Sequence, residues 1–324
     1  MDYRYLPNYI TVGNKGKTMA KMQTTFLLMA GLLAAQSTQA AEDFRVTYAG
    51  SMGVVMDKFL GPDFAKQKNV NYQGQGQGAY GMANLLASKK VVADVFVSIT
   101  PGPVEILQKA GLAGQAVPVA STSMVIAYNP KGKYAEKFTA IKDGKAGAEP
   151  WWKVLQTPGL QFGRTDPVSD PQGQNIIFTL MLAENYYKQP GLEKAVLGDV
   201  QNPKQISGEG GLLTRLEAGQ VDAASGYESA TISAHLPYIK LPDEINLSNP
   251  QMSKDWYSKV NFNVKDATGK EKTLSTQPLV FYAVVLNNAP HPELAKEFIR
   301  YLQSAEAQQL FKQNGYDKPK GGNL

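Results

Sequence analysis

Between residues 43 and 128 the chain repeats one pattern: a short apolar run, a turn of small residues, then apolar positions spaced three and four apart. Asp43-Phe44-Arg45-Val46-Thr47-Tyr48-Ala49 reads as a strand that ends at Gly50-Ser51-Met52-Gly53, and the residues from Val54 to Leu60 then take up helical periodicity. Val70-Asn71-Tyr72-Gln73 reads as a second strand, followed by a Gly/Gln loop over 73–78 and a helix over 82–89. Ala93-Asp94-Val95-Phe96-Val97-Ser98 is a third, with Thr100-Pro101 opening the next helix. Strand, small-residue loop and helix in repetition predict a parallel sheet wound by right-handed crossovers.

The apolar strand over 124–128 ends at Asn129-Pro130, and residues 131–150 turn polar and Gly/Pro-punctuated, as expected where a chain passes from one lobe to another. A second series follows, with a short strand at 161–164, a turn over 166–171, helices over 172–187 and 211–219, a strand over 221–225 and a helix over 228–235. The long apolar run at 278–286 reads as a buried strand. After it, Ala295, Phe298, Ile299 and Leu302 mark one face of an amphipathic helix.

The N-terminus changes the picture. Lys21 precedes an apolar run from Phe26 to Ala35, and Thr38 and Ala40 place small residues before Ala41. This predicts a signal peptide within 1–40, with a mature start near Ala41 and residues before Met19 as an upstream extension. Arg4, Lys15, Lys17 and Lys21 against Asp2 give that segment +3, so the whole-chain +5 leaves about +2 for the rest. No basic block accompanies the charge, which argues against nucleic acid. The absence of Cys excludes disulfides, thiolate chemistry and a lipid-anchoring Cys. His235 and His291 stand apart from each other and from carboxylates in sequence, a poor basis for a zinc or Ser-His-Asp enzyme.

Three predicted strand-to-helix junctions hold small residues: Gly50-Ser51-Met52, Gly76-Gln77-Gly78-Ala79 and Asp170-Pro171-Gln172-Gly173. Each offers unpaired backbone N–H groups and the positive end of a helix dipole, which suits a desolvated anion. The glycine-rich loop lacks the Lys-Ser/Thr of a P-loop, so a nucleotide is not expected there. Tyr186-Tyr187 and Trp151-Trp152 read as packing residues, and both His as structural.

The chain resembles the periplasmic molybdate/tungstate-binding proteins of ABC transporters, tungstate-type branch. The resemblance rests on Tyr48-Ala49-Gly50-Ser51, Ala93-Asp94-Val95-Phe96-Val97-Ser98, Phe162-Gly163-Arg164-Thr165-Asp166-Pro167, Asp170-Pro171-Gln172-Gly173, Leu216-Glu217-Ala218-Gly219-Gln220-Val221-Asp222 and Leu241-Pro242-Asp243-Glu244-Ile245-Asn246-Leu247. It implies an α/β, type II periplasmic binding protein fold: two lobes, each with a mainly parallel central sheet, joined by two crossover strands. Lobe 1 is expected over 41–127 and 280–324, and lobe 2 over 128–279.

The implied function is capture of a tetrahedral oxyanion, molybdate or tungstate, for ABC import. The alternative is another small anion: sulfate, a sulfonate or an organic carboxylate. No catalysis, cofactor or free cation is expected. Permease and ATPase subunits are the implied partners of a periplasmic, monomeric protein that keeps no membrane insertion after signal removal. Carried over by position, Ser51, Gln77, Gly78, Ala79, Ser123, Arg164, Asp170, Gln172, Tyr227 and Glu228 are the candidate ligand-binding residues. Ser51 would offer its N–H and hydroxyl, and Arg164 a counter-charge. In the tungstate branch two carboxylates approach the metal. Two departures stand out: Ala79 where the family usually has a serine, and Gly226 where the second carboxylate belongs, leaving Glu228 as its substitute.

Overall fold

Strand β1 (Asp43–Ala49) alternates Phe44, Val46 and Tyr48 into the interior, and β3 (Val95–Ile99) is buried on both faces, as a strand covered by helices on either side must be. The computed structural model describes residues 41–265 and 269–324, and residues 41–324 form one unit. The expected signal peptide and upstream extension lie outside the described residues. Among the described residues no helix is long and apolar enough to cross a membrane.

The other strands are β2 (Asn71–Gln77), β4 (Val117–Ser121), β5 (Met124–Tyr128), β6 (Phe162–Thr165), β7 (Ile206–Ser207), β8 (Ala223–Tyr227), β9 (Tyr238–Lys240), β10 (Asn261–Lys265), β11 (Glu271–Ser275) and β12 (Val280–Val285). They build two five-stranded sheets, ordered β2-β1-β3-β12-β4 and β7-β6-β8-β5-β9, and a β10-β11 hairpin. In the first sheet β12 runs antiparallel to β3 and β4; in the second, β5 runs antiparallel to β8 and β9. Each sheet is therefore mainly parallel, with one strand running against the rest. This is the type II periplasmic binding protein architecture.

The lone reversed strand in each sheet is the one that follows a crossing. Thr122 N–H donates to the Leu279 carbonyl (3.2 Å), Leu279 N–H to Leu247 (3.0 Å) and Met124 N–H to Asn246 (2.8 Å), so the two connections run side by side. The first crossing comes earlier than the sequence pattern suggests. All of β5 pairs in the second sheet, so the chain has changed lobes before Met124 and not after Ala127. The polar stretch at 131–150, read as the passage between lobes, instead carries the helix Ala135–Lys142, whose Phe138 stacks on Tyr128. The Gly/Gln run is a strand as well: β2 extends to Gln77 and pairs with β1 over seven residues, up to Ala49 opposite Gln77. Edge strands are held by main-chain bonds, so they need no apolar alternation, and hydropathy misses them.

Aromatic packing fixes the lobes. Phe44, Phe64 and Phe298 meet with ring centroids 4.9–5.4 Å apart between β1 and the helices Gly61–Lys68 and Pro292–Leu302. Tyr187 in helix Pro171–Tyr187 accepts a hydrogen bond from Trp151 Nε1 (3.1 Å) while its neighbour Tyr186 packs on Trp256. Both aromatic pairs serve packing.

Candidate functional site

Parallel strands deliver their carboxyl ends, and the helix starts that follow them, to the same edge of each sheet. From the first lobe, β1 ends at Ala49 and runs into the helical turn Gly50–Met52, while β2 ends at Gln77 before helix Ala79–Ala87. From the second, β6 ends at Thr165 ahead of helix Pro171–Tyr187, and β8 ends at Tyr227 ahead of helix Glu228–Ser233. The two edges face each other across a crevice of about 1150 Å³ lined by Ser51, Gly76 and Gln172 among others. Beyond Gly76 it is continued by a second space of about 540 Å³ bounded by Gln77, Gly78, Thr165 and Asp170.

Close backbone approach draws these loops together. A Cβ on Gly76 would lie 2.6 Å from the Tyr48 ring and 3.3 Å from Gly50 Cα. One on Gly78 would lie 2.8 Å from the Ser169 carbonyl oxygen and 3.2 Å from Asp170 Cβ. Gly81 N–H donates to the Ser169 carbonyl (3.1 Å), a main-chain bond between the lobes. Glycine at 78 is what lets the Ala79 helix seat its first turn on the 166–170 loop.

The polar atoms here are unevenly satisfied. Asp170 caps its helix, Oδ1 accepting from Gln172 N–H at 2.9 Å, but Oδ2 is buried with no close partner. Burial raises the Asp170 carboxyl to about 6; the Gln172 amide and the Thr165 hydroxyl work against this, and the nearby Asp166 charge adds to it. Ser51 Oγ is likewise buried without a partner, and Thr165 Oγ1 is buried with only a loose approach to the Asp170 carboxyl. Gln172 Oε1 accepts weakly from Ser225 (3.4 Å), and the buried Tyr227 hydroxyl accepts from Asn175 Nδ2 (3.0 Å). Buried polar groups left unpaired are costly, and their grouping at facing helix starts points to a polar guest.

Five candidates line neither space: Ala79 and Tyr227 are fully buried beside them, and Arg164, Ser123 and Glu228 stand elsewhere. Arg164 does not line the crevice: its Nη2 donates to the Asp199 carbonyl (2.8 Å) and its Nε to Gln205 Oε1 (3.0 Å). Burial draws the guanidinium below its ordinary value, with Glu193 and Asp166 opposing. On a strand, side chains alternate faces, and residue 164 has the face opposite to the one an anion would need. Glu228 is also spent. Its Oε2 accepts from Ser123 Oγ (2.8 Å), its Oε1 from the Tyr238 hydroxyl (2.9 Å), and Lys240 Nζ lies 3.1 Å away. Burial pushes the Glu228 carboxyl up, but those bonds together hold it below the usual range. Ser123 and Glu228 line a separate space of about 420 Å³ beside the crossing segments. Gly226 offers no replacement, since a Cβ there would meet the Thr231 hydroxyl at 2.8 Å. The crevice thus has one of the expected carboxylates, Asp170.

A family model described as bacterial extracellular solute-binding protein matches residues 44–317. The chain belongs to that family.

Similar members include a solute-binding protein of Petrotoga mobilis, 32% identical over 213 residues, which cover 63% of this chain and 62% of that relative. The molybdate/tungstate-binding protein WtpA of Pyrococcus abyssi is 27% identical over 330 residues, 93% of this chain and 92% of the relative. Among solved structures, the periplasmic molybdate-binding protein of Azotobacter vinelandii superposes with a TM-score of 0.54 at 16% identity, covering 86% of this chain and all of that one. The sulfate-binding protein SubI of Mycobacterium tuberculosis gives 0.55 at 16%, covering 86% and 87%. At such identities the likeness is one of fold. Ligand pockets form preferentially where two structural units meet, as the crevice between the lobes does.

The sequence reading named Tyr227 and Glu228 at the last strand-to-helix junction but overlooked Thr165, which bounds the second space.

Proposed function

We propose that this solute-binding protein captures molybdate or tungstate in the crevice between its lobes and presents it to the permease of an ABC importer, whose ATPase drives transport. The observation that carries this reading is a pair of buried oxygens, Ser51 Oγ from the first lobe, which has no partner, and Asp170 Oδ2 from the second, which has only the Thr165 hydroxyl near it and no close hydrogen bond. They stand at facing helix starts in a chain that aligns along 93% of its length with a relative named for these two anions. Neutral donors, hydroxyls and main-chain N–H groups, would hold the dehydrated oxyanion without a formal counter-charge.

Asp170 supports the choice among anions. A carboxylate repels sulfate and phosphate, whose central atoms are saturated, whereas a molybdenum or tungsten centre can accept another oxygen. Of the two carboxylates the resemblance implies, however, only Asp170 stands at the crevice, because Glu228 is engaged by Ser123, Tyr238 and Lys240. That observation favours a second reading, in which the site holds an ordinary tetrahedral anion such as sulfate, or a sulfonate or organic carboxylate. In keeping with the family, the protein is taken to act outside the cytoplasm, exported to the periplasm by its N-terminal segment.

Calorimetric titration of the ligand-free protein with molybdate, tungstate, sulfate and phosphate tests the proposal. Micromolar or tighter binding of molybdate or tungstate, at least a hundredfold tighter than sulfate, is expected. Preference for sulfate selects the second reading, and no heat with any of the four removes both.

A further inference from the structure

The shortest strand of the second sheet ends at the smaller of the two spaces. β7 delivers Ser207, and Gly208 after it, to the space that Gln77, Gly78, Thr165 and Asp170 bound. Ser207 is partly buried, and its Oγ is shut off from solvent with no hydrogen-bond partner among the described residues. A hydroxyl need only rotate to find an acceptor, so one left over beside a cavity is an exception that needs a cause.

Two features of the fold aim that hydroxyl into the space. The first is register. β7 runs parallel to β6, with Ile206 opposite Arg164 and Ser207 opposite Thr165. Registered neighbours on adjacent strands share a face, so Ser207 projects on the side of Thr165. That is the side of the Asp170 carboxyl, which the Thr165 hydroxyl approaches, and not the side where Arg164 is spent on Asp199 and Gln205. The second feature is a cap that is not made. The nine-residue helix Glu209–Glu217 follows directly, with Gly208 at its N-cap and no side chain capping its first amides. Asp170 and Ser304 stand at the N-cap of their helices and accept from the amides of Gln172 and Ala307. Ser207 stands one residue too early for that role, so its own helix does not use it. The same helix walls the larger crevice through Leu212 and Leu213, and it packs against the turn Gly50–Met52 that bears Ser51.

We infer that Ser207 is a ligand-binding residue, its hydroxyl donating to the captured oxyanion from the second lobe on the Asp170 side of the crevice. The inference rests on the oxyanion reading of the crevice. Its chemistry complements Asp170. A carboxylate alone repels the nearest oxygen of an anion, and a neutral donor on the same face gives that oxygen a favourable contact without adding charge. The placement also bears on closure. A ligand held at the start of helix Glu209–Glu217 fixes an element that touches both lobes, so capture favours the arrangement in which they meet.

Ser207→Ala tests this, because it removes the hydroxyl and leaves the main-chain pairing of β7 in place. Wild type and variant are titrated by calorimetry with molybdate, tungstate and sulfate, and the ligand-free melting temperature of each is recorded. For the anion that the wild type binds most tightly, the affinity of the variant should fall about tenfold, the worth of one hydrogen bond to a charged group. The ligand-free melting temperature should stay within about 2 °C of the wild type, since the empty protein makes no use of the hydroxyl. A fall in affinity of less than about fivefold overturns the inference. So does a ligand-free melting temperature lowered by more than about 2 °C, which marks a structural hydroxyl. A wild type that binds none of the three anions overturns the oxyanion reading itself, and this inference with it.

Discussion

Replacing Asp170 by Asn should make the ligand-free protein more stable at neutral pH while weakening its grip on the ligand. Asp170 is 2% exposed and its carboxyl titrates at about 6 instead of 3.8, chiefly because burial penalises the charged form. An acid whose value rises on folding favours the native state below its unfolded value, and that favour is lost as pH climbs through the folded value. From well below pH 4 to above pH 7 this group alone therefore withdraws stability, by about 3 kcal/mol at 1.36 kcal/mol for each step of ten in proton affinity. Asn keeps the helix cap, since its carbonyl can still accept the Gln172 N–H, but it places an amide N–H in a buried spot where only the Thr165 hydroxyl can receive it, at a cost of ~1 kcal/mol. The expected balance at pH 7.5 is a gain of ~1–2 kcal/mol for Asp170→Asn. Urea denaturation of both proteins at pH 4.5, 5.5, 6.5 and 7.5 reads the effect of Asp170 together with its neighbour Asp166, because the remote carboxylates cancel in the difference. That difference should grow in the variant's favour up to about pH 7 and then level off. A difference independent of pH, or a variant that is less stable at pH 7.5, would show that the native fold welcomes the charge and refute the reasoning.

Other outcomes follow from the same geometry. Gly78→Ala puts a Cβ against the Ser169 carbonyl and Asp170, so the lobes cannot seat; stopped-flow dissociation of bound anion should be about tenfold faster. Glu228→Gln breaks the pairing with Lys240 outside the crevice, and should change anion affinity less than about threefold in calorimetry while lowering unfolding free energy by ~1 kcal/mol. Arg164→Ala removes a fully buried side chain and its bonds to Asp199 and Gln205; denaturation should show a loss of ~3 kcal/mol with anion affinity retained at temperatures where the variant is folded. Saturating tungstate at about a hundred times its Kd should stabilise the wild type by ~2.7 kcal/mol, seen as a rise of about 5 °C in Tm.

The alternation of apolar runs, small-residue turns and helical spacing was enough to determine the class of this fold, two α/β series and the loops between them. Those features are local, and each strand end or helix start is written in a few neighbouring residues such as Gly50-Ser51 or Asp170-Pro171. Family membership was legible for the same reason, since it rests on runs of sequence kept in order. What the tertiary structure alone decided was the direction in which each side chain is spent. Arg164 and Thr165 are adjacent in sequence, yet one is engaged behind the sheet by Asp199 and Gln205 and the other stands beside Asp170. Glu228 and Ser229 are adjacent too, the first with its carboxylate paired with Lys240 and the second fully buried with its N–H held by the Thr122 hydroxyl. A one-residue step turns a side chain by about 100° on a helix and to the opposite face on a strand. The partner it then meets comes from a distant part of the chain, so no local pattern records it.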